Sequence, residues 1–365
     1  MIDTARQTWP RPKRPRPIVF IGAGGIVRAA HLPAYRAQGL VAHGVFDVRP
    51  AAARALARDF AIPRIAKSLA HAAQLALEVE GVFDVAVPAD QVLSVLGELP
   101  DRAVVLIQKP LGRDLAEARK IVALCRKKRL TAAVNFQLRF APNMLVLQHQ
   151  LARGRLGRPV DVEVHTRTHT PWSQWTFLRG IPRLEILYHS IHSIDLLRAC
   201  FGEPRTVFAD ARPDPLFPGY ADTRVAAVLG FQGGLRATIH TAHSHEFDPE
   251  GRSSTLLVEG TRAAARATLG VNLDYPRGRP DSLELCARRG RWKKVPLEGS
   301  WFPEAFAGTM CNLQRFAEGS DPLLHTEVGD ALKTMTVVEA CYRAAERGTT
   351  QALAPSPSDG NARNP

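Results

Sequence analysis

Over the first 140 residues, short apolar runs alternate with stretches whose apolar residues recur at helical spacing. The apolar runs predict strands at 18–21, 41–47, 82–87, 103–107 and 131–135. Helices are predicted between and after them, at 26–37, 51–59, 68–77, 90–98 and 114–128. Alternation of strand and helix is typical of a parallel sheet covered by helices on both faces. Ligands of such sheets bind beyond the carboxyl ends of the strands, so polar residues at those ends are the first candidates for chemistry.

Beyond residue 140 the pattern changes to strands that follow one another directly. Strands are predicted at 159–170, 205–210, 222–231, 234–243, 253–259 and 282–296. Helices are predicted at 143–153, 185–199, 303–318 and 327–347. Consecutive strands of this kind indicate one large, open, mostly antiparallel sheet. The predicted fold class is therefore α/β, with a doubly wound parallel sheet in the N-terminal domain and an α/β domain with an open sheet after it.

The length and the cysteine content of the chain limit the classes of protein to which it can belong. A chain of 365 residues exceeds the usual size of one core, so two domains are expected. The five cysteines are odd in number, widely spread and never in a C-x-x-C pair, which is typical of reduced thiols in a cytoplasmic protein. No apolar run reaches membrane-spanning length and no hydrophobic signal core is present, so we expect no membrane partner.

The formal net charge of +13 does not by itself indicate a nucleic-acid partner. Residues 1–17 hold five basic residues, one acidic residue and four prolines, and their low apolar content predicts a disordered leader. The other basic residues are spread along the chain, with no aromatic residues interleaved to stack on bases. A small-molecule ligand is therefore expected, and no nucleic acid.

The first predicted strand runs into a glycine turn. Gly22, Gly24 and Gly25 follow the strand, and Ile26 begins the next helix. A unit of strand, glycine turn and helix aims backbone N–H groups and the positive end of a helix at a phosphate. Val27 stands where the third glycine of a Gly-x-Gly-x-x-Gly pattern is expected, and glycine turns also occur where no ligand binds.

Asp47 strengthens the dinucleotide interpretation because it lies at the predicted tip of the second strand. A carboxylate there can accept both hydroxyls of an adenosine ribose, and it repels the 2′-phosphate of NADP. Arg49, two residues later, keeps NADP open as an alternative to NAD. We predict an NAD(P)-binding domain over 18–140, a second domain over 141–350 and a flexible tail over 351–365.

Gln108, Lys109 and Pro110 end the strand predicted over 103–107, which presents Lys109 at the ligand edge of the sheet. A lysine there can hydrogen-bond a substrate hydroxyl and stabilise the alkoxide that forms as hydride leaves. Pro110 can set the backbone angle that projects the lysine, and a cis peptide bond is one way to do so. The alternative is an ordinary surface lysine at a strand end.

The helix predicted over 185–199 carries an unusual polar stripe. Spacings of three and four residues place one set of polar side chains on a common face: Glu185, Tyr188, His189, His192 and Asp195. Aliphatic residues occupy the opposite face and can hold the helix in the core. His192 is the candidate general base, because a neutral imidazole can take a hydroxyl proton near neutral pH.

His189 and His192 are also spaced like metal ligands, but no further ligand set is evident, so no metal is expected. His240, His243 and His245 form a second group on a predicted strand, where alternation puts His240 on the face opposite the other two. These are interpreted as sheet-surface residues, with lining of the cleft as the alternative.

Trp172 and Trp175 lie in a loop-like segment before the polar helix. Their aromatic faces can stack on a sugar ring or anchor a contact between subunits, and the sequence favours neither.

The order of these motifs resembles the Gfo/Idh/MocA oxidoreductases, from about Pro17 to Leu353. The matching positions are Gly22, Gly24, Gly25, His31, Asp47, Lys109-Pro110, Asn135 to Pro142 with Arg139, and His192 with Asp195. The resemblance implies a Rossmann domain followed by an α/β domain whose open sheet often forms dimers or tetramers. It also implies hydride transfer between a nicotinamide cofactor and a secondary alcohol of a sugar, sugar acid or cyclitol.

The resemblance carries specific roles onto this chain, with Lys109 and His192 as the catalytic pair. The expected cofactor-binding residues are Gly22, Gly24, Gly25, Ile26, Asp47, Arg49, Pro88, Asp90, Gln91, Gln108, Lys109 and Asn135. The expected substrate-binding residues are Lys109, Arg139, Trp172, Trp175, His189 and His192.

Two departures from the family pattern bear on the chemistry. Gln108 replaces a glutamate before the lysine, and Tyr188 replaces the aspartate four residues before the histidine. A phenol can position substrate, and Tyr188 becomes a candidate acid/base if Lys109 lowers its pKa. The base is therefore open between His192 and Tyr188, with His189 a weaker third choice. The alternatives to a dehydrogenase are a non-catalytic dinucleotide-binding regulator and a redox-neutral, NAD-using epimerase or lyase.

Overall fold

A computed structural model of the chain describes residues 6–275 and 277–353. The N-terminal strands are β1 (Ile18–Ile21), β2 (Ala42–Phe46), β3 (Arg64–Ile65), β4 (Val82–Val85), β5 (Val104–Ile107) and β6 (Thr131–Val134). The helices among them are α1 (Leu32–Ala37), α2 (Pro50–Phe60), α3 (Leu69–Glu78), α4 (Val92–Glu98) and α5 (Leu115–Lys127). All six strands pair in parallel in the order β3-β2-β1-β4-β5-β6, which confirms the doubly wound sheet.

Burial explains why most of this sheet was visible in the sequence. Every residue of β1, β4 and β5 is buried, so these strands are continuous apolar runs broken only by Asp84. The short strand β3 was not predicted, because both of its residues are exposed and leave no apolar pattern. The chain order reverses between β1 and β4, the point at which doubly wound sheets bind dinucleotides.

A second sheet follows in the chain. Its strands are β7 (Pro159–Arg167), β8 (Thr206–Arg212), β9 (Arg224–Gly230), β10 (Arg236–Ala242), β11 (Ser253–Gly260), β12 (Ala263–Thr268), β13 (Ser282–Ala287), β14 (Lys293–Lys294) and β15 (Gln351–Ala352). Two helices precede or interrupt it, α6 (Pro142–Ala152) and α7 (Ile191–Phe201). The order is β14-β13-β12-β11-β7-β10-β9-β8-β15, and only the β7–β10 pair is parallel among the described strands. The prediction of a large, mostly antiparallel sheet is confirmed.

Alternation along the strands shows that one face of this sheet is covered and the other is open. In β9, Val225 and Leu229 are buried whereas Ala226 and Val228 are exposed. The alanine-rich strand β12 was not predicted, because alanine and arginine give no clear alternation. The strand predicted over 282–296 is a hairpin of β13 and β14.

The last two helices are α8 (Ala305–Ala317) and α9 (Val328–Arg347). Contacts divide the chain into one unit of 6–145 and 298–335 and another that includes 146–297 and the described residues from 336 onward. Helix α8 packs on β5 and β6 of the parallel sheet, and its buried face joins the core around β1. This differs from the expected division, which gave all of 141–350 to the second domain.

Residues 6–17 differ from the expectation of a disordered leader. The Trp9 indole N–H donates to Asp321 at 2.7 Å, and its ring meets the Phe140 ring edge-on at 5.2 Å. The backbone N–H groups of Lys13 and Arg14 donate to the Glu318 carboxylate. Composition describes the segment as charged and proline-rich, but one aromatic anchor and a few acceptors just beyond the end of α8 are enough to hold it. Residues 1–5 lie outside the described residues.

At the other end, residues 351–352 of the expected tail form β15, which pairs with β8. The remainder from 354 onward lies outside the described residues. No helix within the described ranges combines the length and the apolar character needed to cross a membrane.

Candidate active site

The glycine turn after β1 is fixed by close approach of the backbone. Gly22 has a φ of +108°, and a Cβ there would lie 2.3 Å from the carbonyl oxygen of Ala86, so no other residue fits. Its N–H donates to the carbonyl of Phe46 at 2.7 Å. By contrast, a Cβ at Gly24 or Gly25 would meet no atom within 4 Å. The backbone of these two glycines is therefore open to the approach of a ligand group, as the phosphate contact of NAD requires.

Asp47 connects this turn to the end of β2. One carboxylate oxygen accepts the N–H of Ala23 at 2.8 Å, and the other accepts the N–H of Arg49 at 2.8 Å. The Arg49 guanidinium lies 3.4 Å from the same carboxylate and is largely exposed. Asp47 thus shapes the phosphate turn while its carboxylate stays at the position expected for a ribose contact.

Beneath the turn lies a buried network that sequence reasoning missed. Asp84 accepts from His31 Nδ1 at 2.7 Å and from the Tyr35 hydroxyl at 2.6 Å, and all three side chains are buried. With Nδ1 donating to the carboxylate, His31 Nε2 is left as an acceptor. It lies 3.2 Å from Gln108 Nε2 and 3.4 Å from Asn135 Nδ2. We name this set the Asp84 cluster. His31 belongs to the motif pattern of the sequence. The role of Asp84, on β4, becomes clear only from the structure, which brings it against His31.

The Asp84 cluster gives the Gln108 substitution a physical role. A glutamine amide can donate to the imidazole and, through its oxygen, accept the backbone N–H of Lys109 at 2.7 Å. A glutamate carboxylate has no such donor for a neutral imidazole nitrogen. Gln108 therefore holds the backbone from which Lys109 projects.

Lys109 follows β5 at the carboxyl edge of the sheet, as predicted, and its peptide bond to Pro110 is cis. The residue is partly buried, and burial lowers the pKa of its ammonium group to about 8. An ammonium with a reduced pKa is a better proton donor to an oxyanion than an ordinary surface lysine.

The other predicted residues of this unit have mixed settings. Pro88, Asp90 and Gln91 are exposed around the 3₁₀ turn Ala89–Gln91 that follows β4. Asn135 is buried after β6, and its side-chain oxygen accepts from the Thr309 hydroxyl at 2.6 Å.

Arg139, expected to contact substrate, lies in an ion pair. Its guanidinium donates to Asp330 at 2.6 Å and to the carbonyl of His325 at 2.7 Å, and its side chain is nearly buried. Those two contacts give Arg139 a structural role within its own unit.

In the second unit, the polar helix begins with a π-helical turn over Ile186–Ser190 and continues as α7. The turn is held by Asp222, which accepts the N–H of Leu184 at 2.7 Å and the Tyr342 hydroxyl at 3.0 Å. Widened turns of this kind re-aim side chains and are frequent at functional sites. The common polar face expected from regular helical spacing is therefore altered at its N-terminal end.

The side chains of the predicted polar stripe lie in different surroundings. Tyr188 is half-buried, with its ring 6.3 Å from that of Phe177. His192 is buried in the first turn of α7. Asp195 is also buried, and its carboxylate lies 4.0 Å from the guanidinium of Arg198, so Asp195 belongs to a structural ion pair.

Glu185 is the centre of a second buried group. Its Oε1 accepts from the Ser190 hydroxyl at 2.9 Å, and it lies 3.4 Å from His189 Nδ1 and 3.3 Å from His243 Nε2. Burial alone would raise the pKa of Glu185, but hydrogen bonds from His189 and His243 outweigh it and bring the pKa down to about 2. Burial lowers the pKa of His243, helped by the neighbouring His189. We name Glu185, His189 and His243 the Glu185 cluster.

The histidines of β10 follow the predicted alternation. His243 is buried beside Glu185, whereas His240 points to the opposite face and stacks on His165 at 5.1 Å. His243 therefore does not remain at the sheet surface, where it was placed. Its meeting with Glu185 joins parts of the chain 58 residues apart, which no local pattern reveals.

The two tryptophans also separate. Trp172 is buried with Leu178 and Leu184, and its ring lies 5.1 Å from that of His243. Trp175 is partly exposed, with its ring 5.2 Å from that of Tyr275. Of the two, only Trp175 keeps an exposed face for a ligand.

The comparisons with known proteins identify the family of the chain. Residues 16–136 match the model of an oxidoreductase family with an NAD-binding Rossmann fold, GFO_IDH_MocA, and residues 144–266 match the model of a GFO/IDH/MocA C-terminal domain. The chain belongs to the Gfo/Idh/MocA family. Membership makes it an oxidoreductase with an NAD-binding domain, as the motifs predicted.

The chain is similar to D-apiose dehydrogenase from Paraburkholderia graminis. The two are 28% identical over 356 residues, which cover 92% of this chain and 88% of the relative. It is also similar to the bovine trans-1,2-dihydrobenzene-1,2-diol dehydrogenase, 29% identical over 53% of each chain.

Solved structures of other proteins share the fold. An oxidoreductase from Agrobacterium radiobacter, in complex with NAD+, L-tartaric acid and magnesium, aligns with a TM-score of 0.76 at 19% identity, over 93% of this chain and 98% of its own. The WlbA dehydrogenase from Bordetella pertussis, in complex with NADH and UDP-GlcNAcA, aligns with a TM-score of 0.72 at 18% identity, over 94% and 100%.

Proposed function

We propose that this protein is a dehydrogenase that oxidises a secondary alcohol of a sugar, sugar acid or cyclitol with NAD. The observation that carries the proposal is Lys109, an ammonium group of lowered pKa at the carboxyl edge of the sheet that also holds the dinucleotide turn. The similarity to a D-apiose dehydrogenase over most of the chain supports a polyhydroxylated substrate.

In the proposed reaction each residue has a limited task. Lys109 donates a hydrogen bond to the reacting hydroxyl oxygen and stabilises the negative charge that develops on it. His192 takes the hydroxyl proton, because a neutral imidazole is a base of suitable strength near neutral pH. NAD, when bound, supplies the hydride acceptor, and the open backbone at Gly24 and Gly25 with Asp47 would hold it. Tyr188 and Trp175 are proposed to position the substrate.

The carboxylate of Asp47 favours NAD over NADP in this proposal. Each of its oxygens accepts a backbone N–H, which holds the side chain at the end of β2. A carboxylate at that position repels a 2′-phosphate. Arg49 pairs with that same carboxylate, which reduces its freedom to bind a phosphate.

The test is a substrate screen. Purified protein is mixed with NAD or NADP and with a panel of sugars, sugar acids and cyclitols, while the absorbance of reduced nicotinamide is followed. We expect reduction of NAD with at least one member of the panel, and loss of turnover with retained NAD binding in Lys109→Ala. Lys120→Ala, an exposed lysine of α5, is the matched control.

Other outcomes point to other functions. NAD binding without reduction across the panel, unchanged in Lys109→Ala, would support a dinucleotide-binding regulator. Conversion of a panel member with no net reduced nicotinamide would support an epimerase or lyase that regenerates NAD within each turnover.

We further propose a cytoplasmic homodimer or homotetramer joined through the open face of the second sheet. Phe208 and Val228 lie on neighbouring strands of that face and are 40% and 39% exposed. Exposed apolar side chains on paired strands are typical of an interface. Light scattering of the wild type and of Phe208→Glu tests this proposal, with a monomer expected for the variant. The five free cysteines support the cytoplasmic assignment.

A further inference from the structure

The Glu185 cluster has the composition of a metal site that was not expected from the sequence. Glu185 precedes the π-helical turn, His189 lies within it, and His243 directly follows β10. The ligand atoms of all three lie within 4.8 Å of one another. Two imidazoles and one carboxylate are a frequent ligand set for Zn²⁺ in sites that keep a fourth position open.

The two distances from Glu185 to the histidines agree with tetrahedral coordination. Zinc bonds of about 2.0–2.1 Å place neighbouring ligand atoms of a tetrahedron about 3.3 Å apart. Glu185 Oε1 lies 3.4 Å from His189 Nδ1 and 3.3 Å from His243 Nε2. The two imidazole rings are nearly perpendicular, at 82°, so they approach the carboxylate from different directions.

Glu185 also has bonding capacity that its surroundings do not use. Its side chain is fully buried, and Oε2 has no hydrogen-bond partner among the described residues. A buried carboxylate oxygen without a partner is costly, since nothing replaces the water it has lost. A cation bound to this carboxylate beside the two histidines would compensate the charge that both of its oxygens share.

Neighbouring groups orient the ligands as is usual around a metal. His243 Nδ1 lies 2.7 Å from the Thr170 hydroxyl, which fixes the ring with Nε2 toward Glu185. Ser190 donates to Glu185 at 2.9 Å. Hydrogen bonds to the far side of ligating histidines and carboxylates select the tautomer and hold the geometry.

Of the three side chains, only that of His189 reaches solvent. Glu185 and His243 are fully buried, whereas the His189 side chain is 25% exposed. We propose that Glu185, His189 and His243 bind a divalent transition-metal ion of the zinc type, with its fourth position open to water or a ligand hydroxyl on the His189 side. The ion would join the π-helical turn, which carries Tyr188, to the end of β10. The proposal does not depend on hydride transfer.

The experiment measures metal binding directly. Purified full-length protein is treated with a chelator, dialysed, and titrated with Zn²⁺ by calorimetry and with Co²⁺ by visible absorption. We expect one ion per chain, an intense tetrahedral Co²⁺ spectrum and a Zn²⁺-dependent rise in Tm. In His189→Ala and Glu185→Gln we expect at least about a tenfold loss of Zn²⁺ affinity.

His189→Ala is the decisive variant. The His189 side chain is partly exposed, so its removal should leave the fold intact, and a loss of binding then reports on the metal site. His240→Ala, on the opposite face of β10, is the matched control and should keep one ion per chain. If wild type and His189→Ala bind Zn²⁺ equally, or if wild type gives no stoichiometric binding, the proposal is wrong and the cluster is a hydrogen-bonded one. Because no substrate is involved, this result stands whether or not dehydrogenase activity is found.

Discussion

The Asp84 cluster and the Glu185 cluster both bury a carboxylate against histidine, but they differ in what surrounds them. In each, one carboxylate oxygen has no hydrogen-bond partner among the described residues. Asp84 has one imidazole and one phenol, and both His31 and Asp84 have side chains with no exposure. Glu185 has two imidazoles directed at the same oxygen, and one of them, His189, is partly exposed. The first cluster is closed to solvent at His31 and Asp84, whereas the second is open to solvent at His189.

The largest expected effect is on stability, and it tests that contrast. Asp84→Ala should lower the free energy of unfolding by about 3–5 kcal/mol, because it leaves His31 and Tyr35 buried without their acceptor. Glu185→Ala should cost less, about 1–3 kcal/mol, because water can reach the remaining histidines past His189. Urea unfolding of the two variants measures both values. Equal losses would remove the distinction between a closed and an open cluster.

The second prediction concerns the base, which lies on the same helix as the Glu185 cluster. His192→Ala should lower kcat by roughly a hundredfold to a thousandfold, as expected for a lost general base. Tyr188→Phe should change KM more than kcat, since the phenol is assigned only to positioning. Steady-state kinetics on the substrate found in the screen compare them. A Tyr188→Phe variant with the larger loss in kcat would transfer the base to Tyr188.

The third prediction uses the lysine held by the Asp84 cluster. Burial lowers the pKa of Lys109 to about 8, so the protonated donor is present below that pH and is lost as the pH rises through it. The kcat for alcohol oxidation should therefore level off or fall above about pH 8 rather than near the ordinary lysine value. Gln108→Ala removes the acceptor of the Lys109 N–H. In this variant the pH at which kcat levels off or falls should change. A fall that occurs only above pH 10 in wild type would contradict the assignment.

The smallest effect is expected at Asp47. Asp47→Asn should weaken NAD binding by about tenfold, the equivalent of one charge-assisted hydrogen bond, and should affect NADP less. Asp101→Asn, on an exposed turn, serves as the control. Fluorescence titration with both cofactors gives the ratio, and an unchanged preference would show that Asp47 shapes the turn without selecting the cofactor.

These comparisons also show which features a sequence can reveal. Gly22, Asp47 and Lys109 were predicted because their roles follow from local order: strand, turn, and the residue at a strand end. Asp84 was hidden inside an apolar run, and its partner His31 lies 53 residues away.

The π-helical turn at Ile186–Ser190 escaped prediction for a related reason. Regular helical spacing of 3.6 residues does not hold in this segment, because Asp222 and Tyr342 hold its backbone open. Both residues are distant from the segment in sequence. The same limit hid the pairing of Glu185 with His243. Local pattern therefore found the single residues, and tertiary contacts decided how they combine.

Helix α8 has a consequence for the order in which the protein is made. The N-terminal unit buries Phe306, Met310 and Leu313 together with β1, although these residues are separated from it by nearly 300 positions. On the ribosome, the parallel sheet cannot complete its core until the strands of the second sheet have emerged. A fragment ending at residue 140 would expose the apolar surface that α8 covers. The parallel sheet is thus synthesised well before the helix that completes its core.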